Sequence, residues 1–177
     1  IGIDLRLDGL TALLLLTINT VALAVALYAA DYMQTFTARP RFYSLFLLMV
    51  TGMNGVILAG DLFNLYVFLE VAAVASYALV AFGTEHEELE ASFKYIVLGT
   101  LSSALILVGV ALVYGITGTL NLAHIAGRLV ETSMDAPLLL AFGLFIVGFA
   151  FKAALVPFHA WLPDAHPSAP APVSICR

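Results

Sequence analysis

Long apolar runs separated by short polar connections repeat along the whole chain. The runs predict membrane-spanning helices at about residues 10–30, 42–60, 62–83, 93–115 and 136–157, with residues 158–177 left as a connection. The ten-residue alternation of a transmembrane barrel is missing, so the expected fold is all-α, a polytopic transmembrane bundle. Residues 1–8 mix charge with apolar positions as an interfacial lead-in, and Asp8-Gly9 reads as a start signal for the first span. Asp31 to Arg41 reads as a polar connection whose Arg39 and Arg41 suggest the cytoplasmic side. The second and third spans meet through a turn at Gly60-Asp61, which demands a tight helical hairpin; Asp61 reads as the helix cap, with proton handling as the alternative. Thr84 to Glu90 reads as a solvated acidic loop. The GITG at 115–118 ends the fourth span. Residues 119–130, with His124 and Arg128, are too short to span and suit an interfacial helix. After Glu131 to Asp135, Ala136-Pro137 opens the fifth span, since proline is tolerated in a first turn.

Composition agrees with the pattern. Of 177 residues, 62% are hydrophobic and 11% charged, with a mean hydropathy of +1.03, whereas roughly a quarter of a soluble domain is charged. About five spans of roughly 20 residues each use up the length and leave no room for a soluble cofactor-binding domain. The formal charge of −5 reflects acidic connections and argues against nucleic acid. The one cysteine, Cys176, allows neither an internal disulfide nor a cysteine-ligated cluster. The chain starts without Met or a charged leader and stops at Arg177 where another apolar helix is due, so the sequence reads as a section of a longer subunit.

Against this apolar background a few residues stand out chemically. Glu70 is the single charge inside the run from Leu62 to Gly83, and an intramembrane carboxylate is costly unless paired, hydrated or neutralised. Lys152 is equally isolated in the fifth span. Five residues later Pro157 removes an amide donor and crowds the carbonyl of Ala153, so the helix should break just after Lys152. Breaks of this kind free carbonyls that only protein or water can satisfy. His159 follows Lys152 by seven positions and shares its face if the helix resumes. Lys94 opens the fourth apolar run, either paired with Glu90 one turn before it or turned toward the membrane interior. Asp164 and His166 bracket the exit among four prolines as a candidate relay. A carboxylate, an amine and an imidazole beside a broken helix suit proton transfer, because a buried lysine's affinity for its proton depends on the charge and distance of a partner carboxylate. A structural ion pair that fixes helix packing is the bland alternative, and a solute transporter with a midplane site is a further one. His159, Asp164 and His166 match no standard metal-ligand spacing. No phosphate loop, nucleotide fingerprint or nucleophile–base set is present, so no catalysis by the chain itself, no cofactor and no metal are expected.

Three stretches, GDLFNLYVFLEVAAVASYALVAFG, ASFKYIVLGTLSSALILVGVALVYGITGTLNLAHIA and FAFKAALVPFHAWLPDAHPSAPAPVS, carry a resemblance that covers nearly the whole chain. Together they resemble the antiporter-like, proton-translocating membrane subunits of respiratory complex I, membrane-bound hydrogenases and multi-subunit cation/proton antiporters. The GTLN after the fourth span looks closest to the D-type antiporter component or its hydrogenase-linked relatives. The resemblance implies that Glu70 is the family's key glutamate, Lys94 its lysine on the next helix, Lys152 its central lysine on the broken helix, and His159 a member of the polar axis. It further implies one of two inverted five-helix half-channels, with H+ alone or H+ and Na+ as the ion. The implied setting is a prokaryotic inner membrane, among other membrane subunits of a redox-driven pump of the NADH dehydrogenase type or of an antiporter. The chain stops where the family's next helix begins.

Overall fold

The computed structural model describes residues 3–35, 38–130 and 135–176. Ile1, Gly2, Arg177 and, apart from Asp135, the connection expected at 131–135 lie outside the described residues. The described chain is mostly helical, in the order α1 (Gly9–Tyr32), a 3-10 turn (Met33–Thr35), α2 (Arg39–Leu58), α3 (Leu62–Val80), α4 (His86–Thr117), α5 (Leu122–Val130), α6 (Ala136–Lys152), α7 (Leu162–Ser168) and α8 (Ala171–Cys176). Helices α1 to α4 are long and apolar enough to cross a membrane, and α6 is a shorter apolar helix.

The ends follow local chemistry. Asp8 and Thr11 form a reciprocal cap on α1, with Thr11 N donating to Asp8 Oδ1 at 2.8 Å and Asp8 N to Thr11 Oγ1 at 2.6 Å. Asp61 caps α3 by accepting from Asn64 N at 2.8 Å, as the sequence leads one to expect. Gly118 ends α4 in the left-handed region, φ +62, where a side chain would be strained. Pro137 sits in the first turn of α6.

Several boundaries differ from the expected ones. The stretch read as an acidic loop is largely helix, because α4 starts at His86 and Glu88 reaches back to accept from Glu85 N at 3.2 Å. Negative side chains in a first turn also complement the helix dipole. Asp31 belongs to α1, and Arg39 and Arg41 to the first turn of α2, so the first connection is shorter than hydropathy suggests. The fifth helix stops at Lys152, where the downstream proline is expected to break it, and the connection that follows contains the short helices α7 and α8.

Two pairs of helices dominate the packing. Only Ala59, Gly60 and Asp61 separate α2 from α3, which pack along their length. A Cβ added at Gly52 would lie 2.5 Å from the backbone nitrogen of Ala72, so these backbones touch. α4 pairs as extensively with α6, where Ser102 Oγ donates to Gly148 O at 2.7 Å. α3 lies against α4, fixed by Ser92 Oγ donating to Tyr77 O at 2.9 Å. α1 rests on α2 and α8; Asn19 and Asn54 exchange side-chain amide hydrogen bonds at 3.0 and 3.1 Å. The larger core cluster joins Phe42, Phe46, Met49, Leu79, Trp161 and Val173 with their neighbours.

Candidate functional site

Glu70 lies eight residues into α3, which puts it about 12 Å from the helix start and close to mid-membrane. Lys152 is the last residue of α6. The helix stops there because Pro157 cannot continue the ladder; Ala154 turns the chain with φ +51, and residues 153–161 are irregular or turn structure. A helix ending inside the bundle delivers the lysine to mid-membrane. Its Nζ stands 3.1 Å from Glu70 Oε1.

The same Glu70 Oε1 accepts from the hydroxyl of Ser103 on α4, a residue 3% exposed. Three helices therefore meet at one carboxylate oxygen. The Ser102–Gly148 bond one residue away holds α6 against α4 at this level, which keeps Lys152 within reach. The pair is mostly shielded, with side-chain exposures of 17% for Lys152 and 30% for Glu70.

A second ionic group lies about 13 Å along α4, nine residues before Ser103. Lys94 Nζ is 2.8 Å from Asp164 Oδ2 of α7 and 2.9 Å from Glu90 Oε1 one turn before it. The pairing with Glu90 is present as one reading has it, and Lys94 also joins Asp164 on a helix 70 positions away rather than turning toward the membrane interior. These groups line a groove of about 250 Å³ with Glu87 and Ser168. They are exposed at 47% for Lys94 and 43% for Asp164, so this is the wetter group.

Between the two groups lies an aromatic and hydroxyl layer. Tyr95 stacks on Trp161 with ring centroids 4.4 Å apart and meets the ring of Tyr77 edge-on at 4.5 Å. Its hydroxyl is 3.0 Å from Ser76 Oγ, while Trp161 Nε1 donates to Phe151 O at 3.0 Å, beside the α6 break. Nothing in the sequence singles out Ser76, Tyr95 and Ser103, because serine and tyrosine in apolar helices are common packing residues.

His159 stands apart from this arrangement. The helix does not resume over it, it is exposed, and its side chain makes no hydrogen bond among the described residues. His166 on α7 is likewise exposed, and its carbonyl accepts from Ser174 Oγ at 2.7 Å. No group of three His, Cys, Asp or Glu side chains suited to a metal gathers among the described residues.

A separate cavity of about 650 Å³ lies at the other end of α3, lined among others by Asp61, Asn64, Tyr114, His124 and Arg128. Neither described cavity includes Glu70 or Lys152.

Residues 59–176 match the family model described as "NADH:quinone oxidoreductase/Mrp antiporter, TM". Residues 1–43 match that described as "NADH-Ubiquinone oxidoreductase (complex I), chain 5 N-terminus". The sequence is 43% identical over 175 residues to the N-type subunit of an NADH-quinone oxidoreductase from Desulforudis audaxviator, covering 97% of this chain and 34% of that protein. It is 36% identical over 173 residues to the D-type component of a Na+/H+ antiporter from Bacillus subtilis, covering 98% and 35%. Among solved structures it superposes, with a TM-score of 0.90 and 42% identity, on a chain of the membrane-bound sulfane sulfur reductase, an archaeal respiratory membrane complex. That match covers 98% of this chain and 35% of the other. The chain spans about a third of the length of the curated relatives it matches.

Proposed function

The chain belongs to the family of membrane subunits shared by NADH:quinone oxidoreductases and Mrp antiporters, and from that membership we propose that it forms a proton-handling section of a longer subunit. In this reading Glu70 and Lys152 share a mid-membrane proton, Lys94 and Asp164 exchange protons with the aqueous edge, and His159 and His166 serve water near the exit. The observation that carries it is the contact of Lys152 with Glu70 at the point where α6 stops. A lysine held by a carboxylate keeps its proton, and one whose partner is neutralised or withdrawn gives it up. Charge changes arriving from neighbouring subunits would drive that alternation. The coupled ion is H+, with Na+ a second candidate carried by the antiporter relative's name.

The path between the two ionic groups crosses the Tyr95–Ser76 hydroxyl pair, with water filling the remaining gaps. The chain makes no bond-changing step of its own. Its work is to bind, orient and release protons within a larger membrane assembly.

The test is proton or cation movement by sealed vesicles containing the complete subunit in its complex. Glu70→Gln and Lys152→Ala each abolish coupled movement while the complex still assembles. Loss of assembly with normal transport in the molecules that survive would mean that the pair is structural.

A further inference from the structure

The Ser103 hydroxyl has two acceptors and one proton. Its Oγ lies 2.9 Å from the carbonyl of Gly99 one turn back on α4, and it also contacts Glu70 Oε1. A serine hydroxyl donates once and accepts through two lone pairs, so it cannot serve both oxygens at the same moment. From this we infer that Ser103 is a rotating switch that positions the Glu70 carboxyl in both of its protonation states. The inference rests on the proposed role of Glu70.

With Glu70 ionised, the hydroxyl points across to Oε1 and donates beside Lys152 Nζ, which reaches the same oxygen. A proton passed from Lys152 to Oε1 first points back at the neutral amine, and once that amine withdraws the acid O–H needs an acceptor, which the Ser103 O–H can be only if its own hydrogen turns away. The Ser103 hydroxyl then turns about its Cβ–Oγ bond to donate to Gly99 O, and its freed lone pair accepts from the carboxylic acid. The serine neither gains nor loses a proton. The single event is a transfer from nitrogen to carboxylate oxygen, with one hydrogen bond exchanged for another. Without the switch, the neutral acid would face an opposed donor or no partner as soon as the Lys152 amine withdraws.

The surroundings leave this task to Ser103. Ser102 is committed to Gly148 O across the α4–α6 contact. The titratable groups facing Glu70 are Lys152 from α6 and Tyr66 from its own helix. On α2 the titratable residues Arg39, Arg41 and Tyr43 lie in the first turns, far from the Gly52–Ala72 contact. Asp164 of α7 is held by Lys94. Ser103 is thus the one hydroxyl that hydrogen-bonds to the carboxylate among the described contacts.

Ser103→Ala in the complete subunit, with Ser103→Thr as the hydroxyl-retaining control, tests the switch through infrared difference spectra and the pH profile of transport. The carbonyl band of protonated Glu70 is identified by its disappearance in Glu70→Gln. In Ser103→Ala this band moves to higher frequency, as a carboxylic acid without its hydrogen-bond acceptor does. The pH profile of transport changes with it, because each protonation state of the carboxyl has lost a hydrogen-bond partner. Ser103→Thr restores both. A band and profile unchanged in Ser103→Ala overturn the switch, and they do so whether or not Glu70→Gln abolishes transport. Normal transport in Glu70→Gln overturns the proton path instead, while the band still judges Ser103.

Discussion

An unpaired charge at the centre of a spanning helix costs about 2.5–3.5 kcal/mol on insertion scales, and Glu70 and Lys152 each carry that cost until they meet. Removing one partner exposes the penalty of the other, and removing both does not. Lys152→Met should therefore destabilise the assembled subunit by about 1–3 kcal/mol, below the range for fully buried pairs because Glu70 is partly exposed and can take up a proton. The double variant Glu70→Gln/Lys152→Met should recover most of that loss, as read by thermal unfolding in detergent. The Lys94–Asp164 pair is wetter, and its value to stability is correspondingly small. Asp164→Asn should leave stability nearly unchanged, with any difference shrinking further in high salt.

At the scale of elements, the break in α6 and the closeness of α2 to α3 set the geometry. Gly52 lets the α3 backbone approach until no Cβ fits, and Glu70 sits two residues from the contacted Ala72. Gly52→Leu should force the hairpin apart and cost more than about 2 kcal/mol through overpacking, with lower yield of assembled complex. Ala154 turns the chain after Lys152 in the left-handed region, which penalises any residue with a Cβ by about 1 kcal/mol. Ala154→Gly should relieve that strain and raise the melting temperature without moving Lys152. Caps and breaks of this kind are legible in the sequence because their causes are local: Asp8 with Thr11, Asp61 with Asn64, Gly118 past α4, and Pro157 beyond Lys152. The acidic start of α4 escapes a hydropathy reading because hydropathy weighs charge against a spanning helix, although Glu85 and Glu88 stand at capping-box spacing. His159 aligns with Lys152 only along a resumed helix, and the chain instead turns through residues 153–161.

For the whole molecule, apolar composition fixes the membrane and the family motifs fix the relatives, but neither states which groups touch. The Glu70–Lys152 contact spans 82 positions and Lys94–Asp164 spans 70. Isolated intramembrane charges nominate such pairs, because lipid leaves them few partners, and Ser103 carries no comparable mark. The outer surface stays rich in leucine, with Leu10, Leu13, Leu16, Leu23 and Leu27 of α1 exposed, as suits a helix facing lipid or neighbouring subunits. The transport proposed above belongs to this scale, since the test uses the complete subunit in its complex. The most direct measurement is ion-coupled proton movement by vesicles containing Lys152→Arg. Arginine keeps the positive charge and its pairing with Glu70, yet it cannot release a proton at working pH. If the lysine passes a proton, the variant assembles with near-normal thermal stability and transports nothing. Transport at the normal rate by Lys152→Arg would contradict the account and leave the pair a structural fastening.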